Sequence, residues 1–398
     1  MKFKKKIRKL IEILCGVIGF VNPIIPKKQN KIFIYNSKPG YQNNYAIYNY
    51  IIENKLNEKY KIYYSMPNIK NVIKKEKNIY LNYSLLKSML HYITAKYVFF
   101  DTGNIRIRPS KNQIVMNLWH GTPFKSIGFL SKNVEKDLPR NLMNTFSKIL
   151  VSSSNMKDVY IKSFNLNNDQ IFFSGHPRND LLLSNKDVFS ELNIDRTKFD
   201  KVIMWMTTYR ISKDGRLCHT SNENWSDTNL PLITNQDAIL KMNEILKKNN
   251  ILLLLKMHTT SKESKVIVEG NTNIKVLEEQ EYTSKNIQLY EILGKTDALI
   301  TDYSSVFIDY LLLNRPIGFI VDDIEDYEAK NGFNLEKPLD YMPGKHIYEF
   351  DGLEKFFNNL SSTVSEYEEK RIKVSKYFNE YNYENNCKFI LDSMGIKI

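Results

Sequence analysis

The sequence predicts an α/β protein with two Rossmann-like domains, and three observations lead there. Strand-like and helix-like stretches alternate from Lys31 to Val321; polar sequence around Asn185 to Asp200 divides them into two series; and 398 residues suffice for two separate cores. An apolar fraction of 42% and a charged fraction of 25% are those of a soluble globular chain. The three cysteines, Cys15, Cys218 and Cys387, are far apart and make no metal-ligand pattern, as expected of a reduced, cytoplasmic chain.

Residues 1–30 form the first segment. After the tract Lys2-Phe3-Lys4-Lys5-Lys6-Ile7-Arg8-Lys9, the apolar residues Ile7, Leu10, Ile11, Leu14, Val17, Ile18 and Val21 keep helical spacing as far as Asn22-Pro23. The spacing predicts an amphipathic helix with a cationic start, suited to lying in a membrane interface. Spanning takes about 20 apolar residues, and Glu12 and Asn22 bracket a shorter run. A basic start and short apolar core also fit a signal peptide, but no small-residue cleavage site follows. The bland alternative is a helix packed on the protein body. A formal net charge of +13 calls for an acidic partner, such as a phosphorylated substrate or an anionic membrane surface. No nucleic-acid-binding module is recognisable.

The N-terminal domain, 31–190, takes strands at Ile32 to Tyr35, Lys61 to Tyr64, Tyr97 to Phe100, Gln113 to Asn117, Ile149 to Ser152 and Ile171 to Ser174, with a helix from about Asn44 to Leu56. The C-terminal domain, 191–350, takes strands at Lys201 to Met206, Ile251 to Lys256, Ile274 to Leu277, Asp297 to Ile300 and Ile317 to Val321. Its helices fall near Gln236 to Lys248 and Asn286 to Leu293. Tyr209 to Ile233 lacks periodicity and reads as a long functional loop, and residues 351–398 read as charged C-terminal helices.

Ligands of open parallel sheets bind beyond the carboxyl ends of the strands. Five stretches with chemistry-bearing side chains sit there. Thr301-Asp302-Tyr303-Ser304-Ser305 reads as strand end, turn and helix start; its serines either cap the helix or contribute to an anion site. His120-Gly121-Thr122-Pro123-Phe124-Lys125 places an imidazole, an open backbone, a hydroxyl and an ammonium after a strand; its bland reading is a turn. In Gly175-His176-Pro177-Arg178-Asn179-Asp180, Arg178 offers a fork to phosphate or a tie between the domains. Arg210 follows the strand ending at Met206, and Lys256 and His258 follow the next, where a lone His is more often structural. Two histidines, several cations and a helix start make the set phosphoryl transfer needs: charge stabilisation, positioning and a base.

Other chemistries lack their signatures. Gly294-Lys295-Thr296 looks like the tail of a P-loop, but position 289 is Leu. There is no G-x-G-x-x-G, no Asp-x-Asp, no zinc-type cluster and no G-x-S-x-G. No cofactor is indicated; a divalent cation is compatible with the chemistry, but no ligand set supports one.

The ordered combination of His120-Gly121-Thr122-Pro123 with Lys125, Gly175-x-Pro177-Arg178-Asn179-Asp180, Thr208-Tyr209-Arg210, Lys256-x-His258 and Thr301-Asp302-Tyr303-Ser304-Ser305 resembles the CDP-glycerol glycerophosphotransferase family. That family comprises teichoic acid primases, polymerases and related capsule polymer enzymes. The resemblance covers about residues 95 to 335. It implies a GT-B fold, two Rossmann-like domains facing across a cleft, with a membrane-associated N-terminal part on the cytoplasmic face. It also implies transfer of glycerol or ribitol phosphate from CDP-glycerol or CDP-ribitol to a lipid-linked saccharide or polymer, with release of CMP. His120 matches the acceptor-side histidine held to be the general base, and His258 the histidine at the leaving diphosphate. Arg210, Ser304 and Ser305 match residues that hold the donor pyrophosphate. Thr207 and Thr259 stand where Pro is common in the family, and His176 where an aromatic is common. Two other readings are open: a GT-B glycosyltransferase using a nucleotide sugar, and a non-catalytic polymer-binding or assembly protein.

Overall fold

The computed structural model describes residues 2–37, 42–67, 76–82, 84–132, 145–208, 228, 230–256, 272–360 and 365–397, with side chains described from residue 11 on. The chain divides into two compact units, residues 1–121 with 134–181 and 380–398, and residues 122–133 with 182–379.

Unit 1 contains α1 (Lys2–Val21), β1 (Lys28–Tyr35), α2 (Gln42–Glu53), β2 (Lys61–Ser65), β3 (Ile79–Asn82), α3 (Leu85–Thr94), β4 (Ala95–Phe100), β5 (Ile114–Asn117), β6 (Lys148–Val151), α4 (Lys157–Phe164) and β7 (Ile171–Phe173). Its seven strands are all parallel, in the order β3-β2-β1-β4-β5-β6-β7. Unit 2 contains α5 (Val188–Glu191), β8 (Lys201–Met206), α6 (Gln236–Lys248), β9 (Ile251–Lys256), β10 (Ile274–Val276), α7 (Glu279–Thr283), α8 (Leu289–Leu293), β11 (Ala298–Thr301), α9 (Val306–Tyr310), β12 (Ile317–Ile320), α10 (Ile324–Lys330), β13 (Lys345–Ile347), α11 (Phe350–Asn358) and α12 (Glu368–Phe378). Its six strands run parallel in the order β10-β9-β8-β11-β12-β13. Both orders reverse direction at one point, between β1 and β4 and between β8 and β11, where a doubly wound sheet opens to a ligand.

The central strands are near-continuous apolar runs because helices cover both of their faces. Leu252, Leu253, Leu254 and Leu255 of β9 are all buried, as are Ile32, Phe33 and Ile34 of β1. Two strands escaped the sequence reading, Ile79–Asn82 and Lys345–Ile347, because each is an edge strand of only three or four residues, too short to show a period.

The units depart from the expected 31–190, 191–350 and 351–398 divisions. The supposed linker near 185–200 folds onto unit 2, because Val188, Phe189, Leu192 and Ile194 bury their side chains. Thr122 to residue 133 also belongs to unit 2, anchored by Phe124, which packs edge-on against Phe307 at 5.1 Å. At the other end α13 (Asn386–Ser393) returns to unit 1, where Cys387, Ile390, Leu391 and Met394 complete the core around Ile32 and Ile34. Most of the loop expected at Tyr209 to Ile233 lies outside the described residues.

A buried cation in unit 1 makes its stability depend on pH. The Lys31 ammonium donates to His91 Nδ1 at 3.1 Å and to Thr94 Oγ1 at 2.6 Å, and lies 4.3 Å from the Tyr63 ring centre. Burial, then repulsion from Lys31, pushes His91 down from 6.5 to about 4. Between these values the unfolded chain binds a proton that the folded chain refuses, so stability is expected to fall as pH drops through that window. Denaturant midpoints at pH 7.5, 5.5 and 4.5 check this, and His91→Gln is expected to flatten the trend.

Candidate active site

In unit 1, strand ends and the start of α2 converge on His120. β5 stops at Asn117, whose Oδ1 accepts the Trp119 N–H at 3.0 Å and turns the chain out of the sheet. Trp119 takes φ +52°, a left-handed backbone that costs a side-chain-bearing residue about 1–3 kcal/mol. Asn43 holds that conformation: its Nδ2 donates to the Trp119 carbonyl at 2.8 Å and to the Leu118 carbonyl at 3.4 Å. The next residue, His120, is exposed, with its ring 4.1 Å from the Trp119 ring centre. Gly121 follows at φ +112°, which favours glycine, and there the chain leaves unit 1 for unit 2.

His120 Nδ1 lies 3.4 Å from the Asp101 carbonyl oxygen. A carbonyl only accepts, so the bond requires the proton on Nδ1 and leaves Nε2 with a lone pair, the form a base needs. Arg178 Nη1 donates to the His120 carbonyl at 3.1 Å, and the Arg178 N–H donates to Asn43 Oδ1 at 3.0 Å. Both bonds join Arg178 to residues of its own unit, so they are not the tie between domains that its sequence allowed. Asp101 is buried at the end of β4; its Oδ1 accepts from Asn36 Nδ2 at 3.1 Å and its Oδ2 from the Asn44 N–H at 3.2 Å. Burial pushes its carboxyl up to about 7, opposed by the Asn44 N–H and the nearby Arg178 guanidinium.

Two other residues of the Arg178 motif are structural. Asp180 accepts the Asn386 N–H at 3.0 Å, the Asn386 Nδ2 at 2.8 Å and the Cys387 N–H at 2.8 Å, capping α13. A Cβ on Gly175 would lie 2.2 Å from Asn386 Oδ1, an atom fixed by the Tyr383 N–H at 3.0 Å. Gly175→Ala is therefore expected to destabilise unit 1 by about 1–3 kcal/mol through overpacking, measured as a lower denaturant midpoint with unchanged slope.

In unit 2 the corresponding place is the gap between β8 and β11. Asp302, buried one residue past β11, accepts the Thr208 N–H at 2.9 Å, the Thr208 hydroxyl at 2.7 Å and the Ser304 N–H at 3.1 Å. It thus braces the two strand-end loops. Lys125 joins this group: an antiparallel bridge to Phe333 fixes its backbone, and its Nζ lies 3.4 Å from Thr208 Oγ1 and 6.0 Å from the Tyr327 ring centre. Thr122, nearby in sequence, is buried. Ser304 and Ser305 are half-buried, and among the described residues their hydroxyls carry no hydrogen bond. The helix after them, α9, has five residues and so only a weak dipole.

Lys256 ends β9, the neighbour of β8; burial lowers the pKa of its ammonium, and Glu279 and Glu278 oppose that. Arg210 and His258 lie outside the described residues. Among the described residues no three His, Cys, Asp or Glu side chains come together to hold a metal.

The structure thus gathers His120, Gly121 and Arg178 in unit 1, and Lys125, Asp302, Ser304 and Ser305 in unit 2. Sequence reasoning missed Asn43, Asp101 and Trp119. One signal was present: Phe99-Phe100-Asp101-Thr102 repeats the apolar run, Asp and turn of Leu299-Ile300-Thr301-Asp302.

Residues 18–394 match the family described as CDP-glycerol:poly(glycerophosphate) glycerophosphotransferase. The chain is similar to the teichoic acid glycerol-phosphate primase of Bacillus subtilis, 25% identical over 82% of this chain and 80% of that protein. It is also similar to the teichoic acid ribitol-phosphate polymerase TarL of Staphylococcus aureus, 28% identical over 84% of this chain but 57% of the polymerase. A solved structure of the wall teichoic acid polymerase TagF superposes with a TM-score of 0.75 at 22% identity, covering 99% of this chain and 95% of that one. The fold is therefore of the GT-B-like kind found in TagF.

Proposed function

The chain belongs to the CDP-glycerol:poly(glycerophosphate) glycerophosphotransferase family, a transferase of the teichoic acid synthesis type, and we propose that it moves glycerol phosphate or ribitol phosphate from the CDP-alditol to a hydroxyl of a lipid-linked saccharide or polymer. His120 Nε2 takes the proton of the acceptor hydroxyl. The freed oxygen attacks the alditol-bearing phosphorus in line, the bond to the bridging oxygen breaks, and CMP leaves with the electron pair. On this reading Arg210, Lys256, Ser304 and Ser305 hold the departing phosphate, and His258 supplies its proton. The observation that carries the reading is the exposed His120 imidazole with its Nδ1 on a carbonyl.

The cationic start of α1 supports a seat on the anionic cytoplasmic face of the cell membrane. Ile13, Leu14, Val17, Phe20 and Val21 of α1 are exposed, and no described helix is long and apolar enough to cross a membrane. Phe20→Asp is expected to weaken co-sedimentation with anionic phospholipid vesicles by about tenfold while leaving activity on a soluble acceptor intact.

The decisive assay incubates the purified protein with CDP-glycerol or CDP-ribitol and a synthetic lipid-linked acceptor, reading CMP release and product mass. Turnover of a UDP-sugar with none of either CDP-alditol would instead make the chain a nucleotide-sugar glycosyltransferase.

A further inference from the structure

We propose that Asp101 and Asn43 are the positioning residues for His120, fixing its tautomer and its entry angle from the floor of unit 1. The inference rests on the reading of His120 as the base. Neither residue needs to touch substrate; Asp101 acts through its bond to His120 and Asn43 through the neighbours that hold it, Trp119 and Arg178.

Four strand-end segments, after β1, β4, β5 and β7, and the start of α2 are joined by these two side chains. The Asp101 carbonyl faces His120 Nδ1, while the two carboxylate oxygens of the same residue each hold a different donor, Asn36 Nδ2 and the Asn44 N–H. The carboxylate therefore sets where the carbonyl points. Its charge also draws on the Arg178 guanidinium, which grips the other end of the histidine at its carbonyl. Asn43 completes the circuit: its Oδ1 takes the Arg178 N–H, and its Nδ2 holds the Trp119 carbonyl and with it the left-handed turn that delivers His120. A left-handed Trp reverts readily once its carbonyl is released. A displacement of about 1 Å at a base costs on the order of a hundredfold in rate.

Unit 2 carries the same device. Asp302 stands one residue beyond β11 as Asp101 stands one residue beyond β4, and both strands lie beside the first strand of their sheets. Asp302 Oδ1 lies within reach of all its donors, the Thr208 hydroxyl, the Thr208 N–H (shared with Oδ2) and the Ser304 N–H, whereas Asp101 needs a separate oxygen for each of its two donors. An amide in place of the Asp101 carboxylate can keep only one of its two donors, so Asp101→Asn removes the charge and one bond without changing volume.

The test compares Asp101→Asn and Asn43→Ala with the unaltered protein. Each variant is expected to lower kcat for CMP release by about ten- to a hundredfold, with KM for the CDP-alditol within about twofold. Nitrogen-15 NMR of labelled histidine, with the His120 signal assigned by its loss in His120→Gln, should show the Nδ1–H tautomer in the parent and a shift toward Nε2–H in Asp101→Asn. Burying an amide costs less than burying a carboxylate, so Asp101→Asn should keep or raise its denaturation midpoint. Should it unfold, Asn43→Ala carries the kinetic test alone. Unchanged kcat in the folded variants, or an unchanged His120 tautomer beside a reduced kcat, would overturn the proposal. Full activity of His120→Gln would instead remove the reading of His120 as base, a result distinct from either.

Discussion

His120→Ala is expected to lower kcat for CMP release by about 10²–10⁴-fold, the range removed with a general base. The donor KM should stay within a few-fold, because the groups assigned to the donor, Lys256, Ser304 and Ser305 among them, belong to unit 2. Partial recovery with added imidazole is the sharper expectation. The ring is exposed, so its removal leaves room for a soluble substitute, and Arg178 and Asn43 bind backbone atoms of residues 118–120 that survive the substitution. Steady-state kinetics with and without imidazole checks both points. Full activity in the alanine variant would take His120 out of the mechanism.

How far the molecule could be read from its sequence depended on the range of the interactions involved. The strands legible in advance, such as Lys201–Met206 and Ile251–Lys256, are apolar runs whose burial on both faces is written in consecutive residues. The three-residue edge strand Lys345–Ile347 has no such run, and only pairing with β12 makes it a strand. The unit boundaries were less legible still, because α13 joins unit 1 through residues 206 and 207 positions away, at Asp180. At the site, the sequence displayed the side chains to which the chemistry is assigned under the proposal, His120 and the serines. It concealed those that face inward to hold them. Asn43 in a helix start and Asp101 after an apolar strand have ordinary structural readings, and a left-handed Trp119 cannot be seen without coordinates. The same limit applied to Gly175 and Asp180, whose packing against the start of α13 depends on partners more than 200 positions away.

Asp302→Ala is expected to have the largest effect in unit 2. It would leave the Thr208 N–H, the Thr208 hydroxyl and the Ser304 N–H without their acceptor. A buried polar group stripped of its partner costs about 1–3 kcal/mol, so the loss should exceed about 3 kcal/mol and lower Tm by roughly 6–12 °C for a unit of this size. The lost bonds tie the end of β8 to the segment after β11 that bears the two serines, so donor KM should rise by at least about tenfold even where the protein remains folded. Asp302→Asn separates bracing from charge. Oδ1 accepts the Thr208 hydroxyl, the Ser304 N–H and, at 3.1 Å, the Thr208 N–H, so an amide oxygen in its place can keep all three donors and only the second Thr208 N–H contact, at Oδ2, is lost. If Asp302 only braces the turn, the Asn variant should keep most of its stability and a donor KM within about threefold. An Asn variant as damaged as the Ala variant would mean that the negative charge itself is required, and Asp302 would then have to be treated as a direct participant at the donor rather than as the strut beneath it.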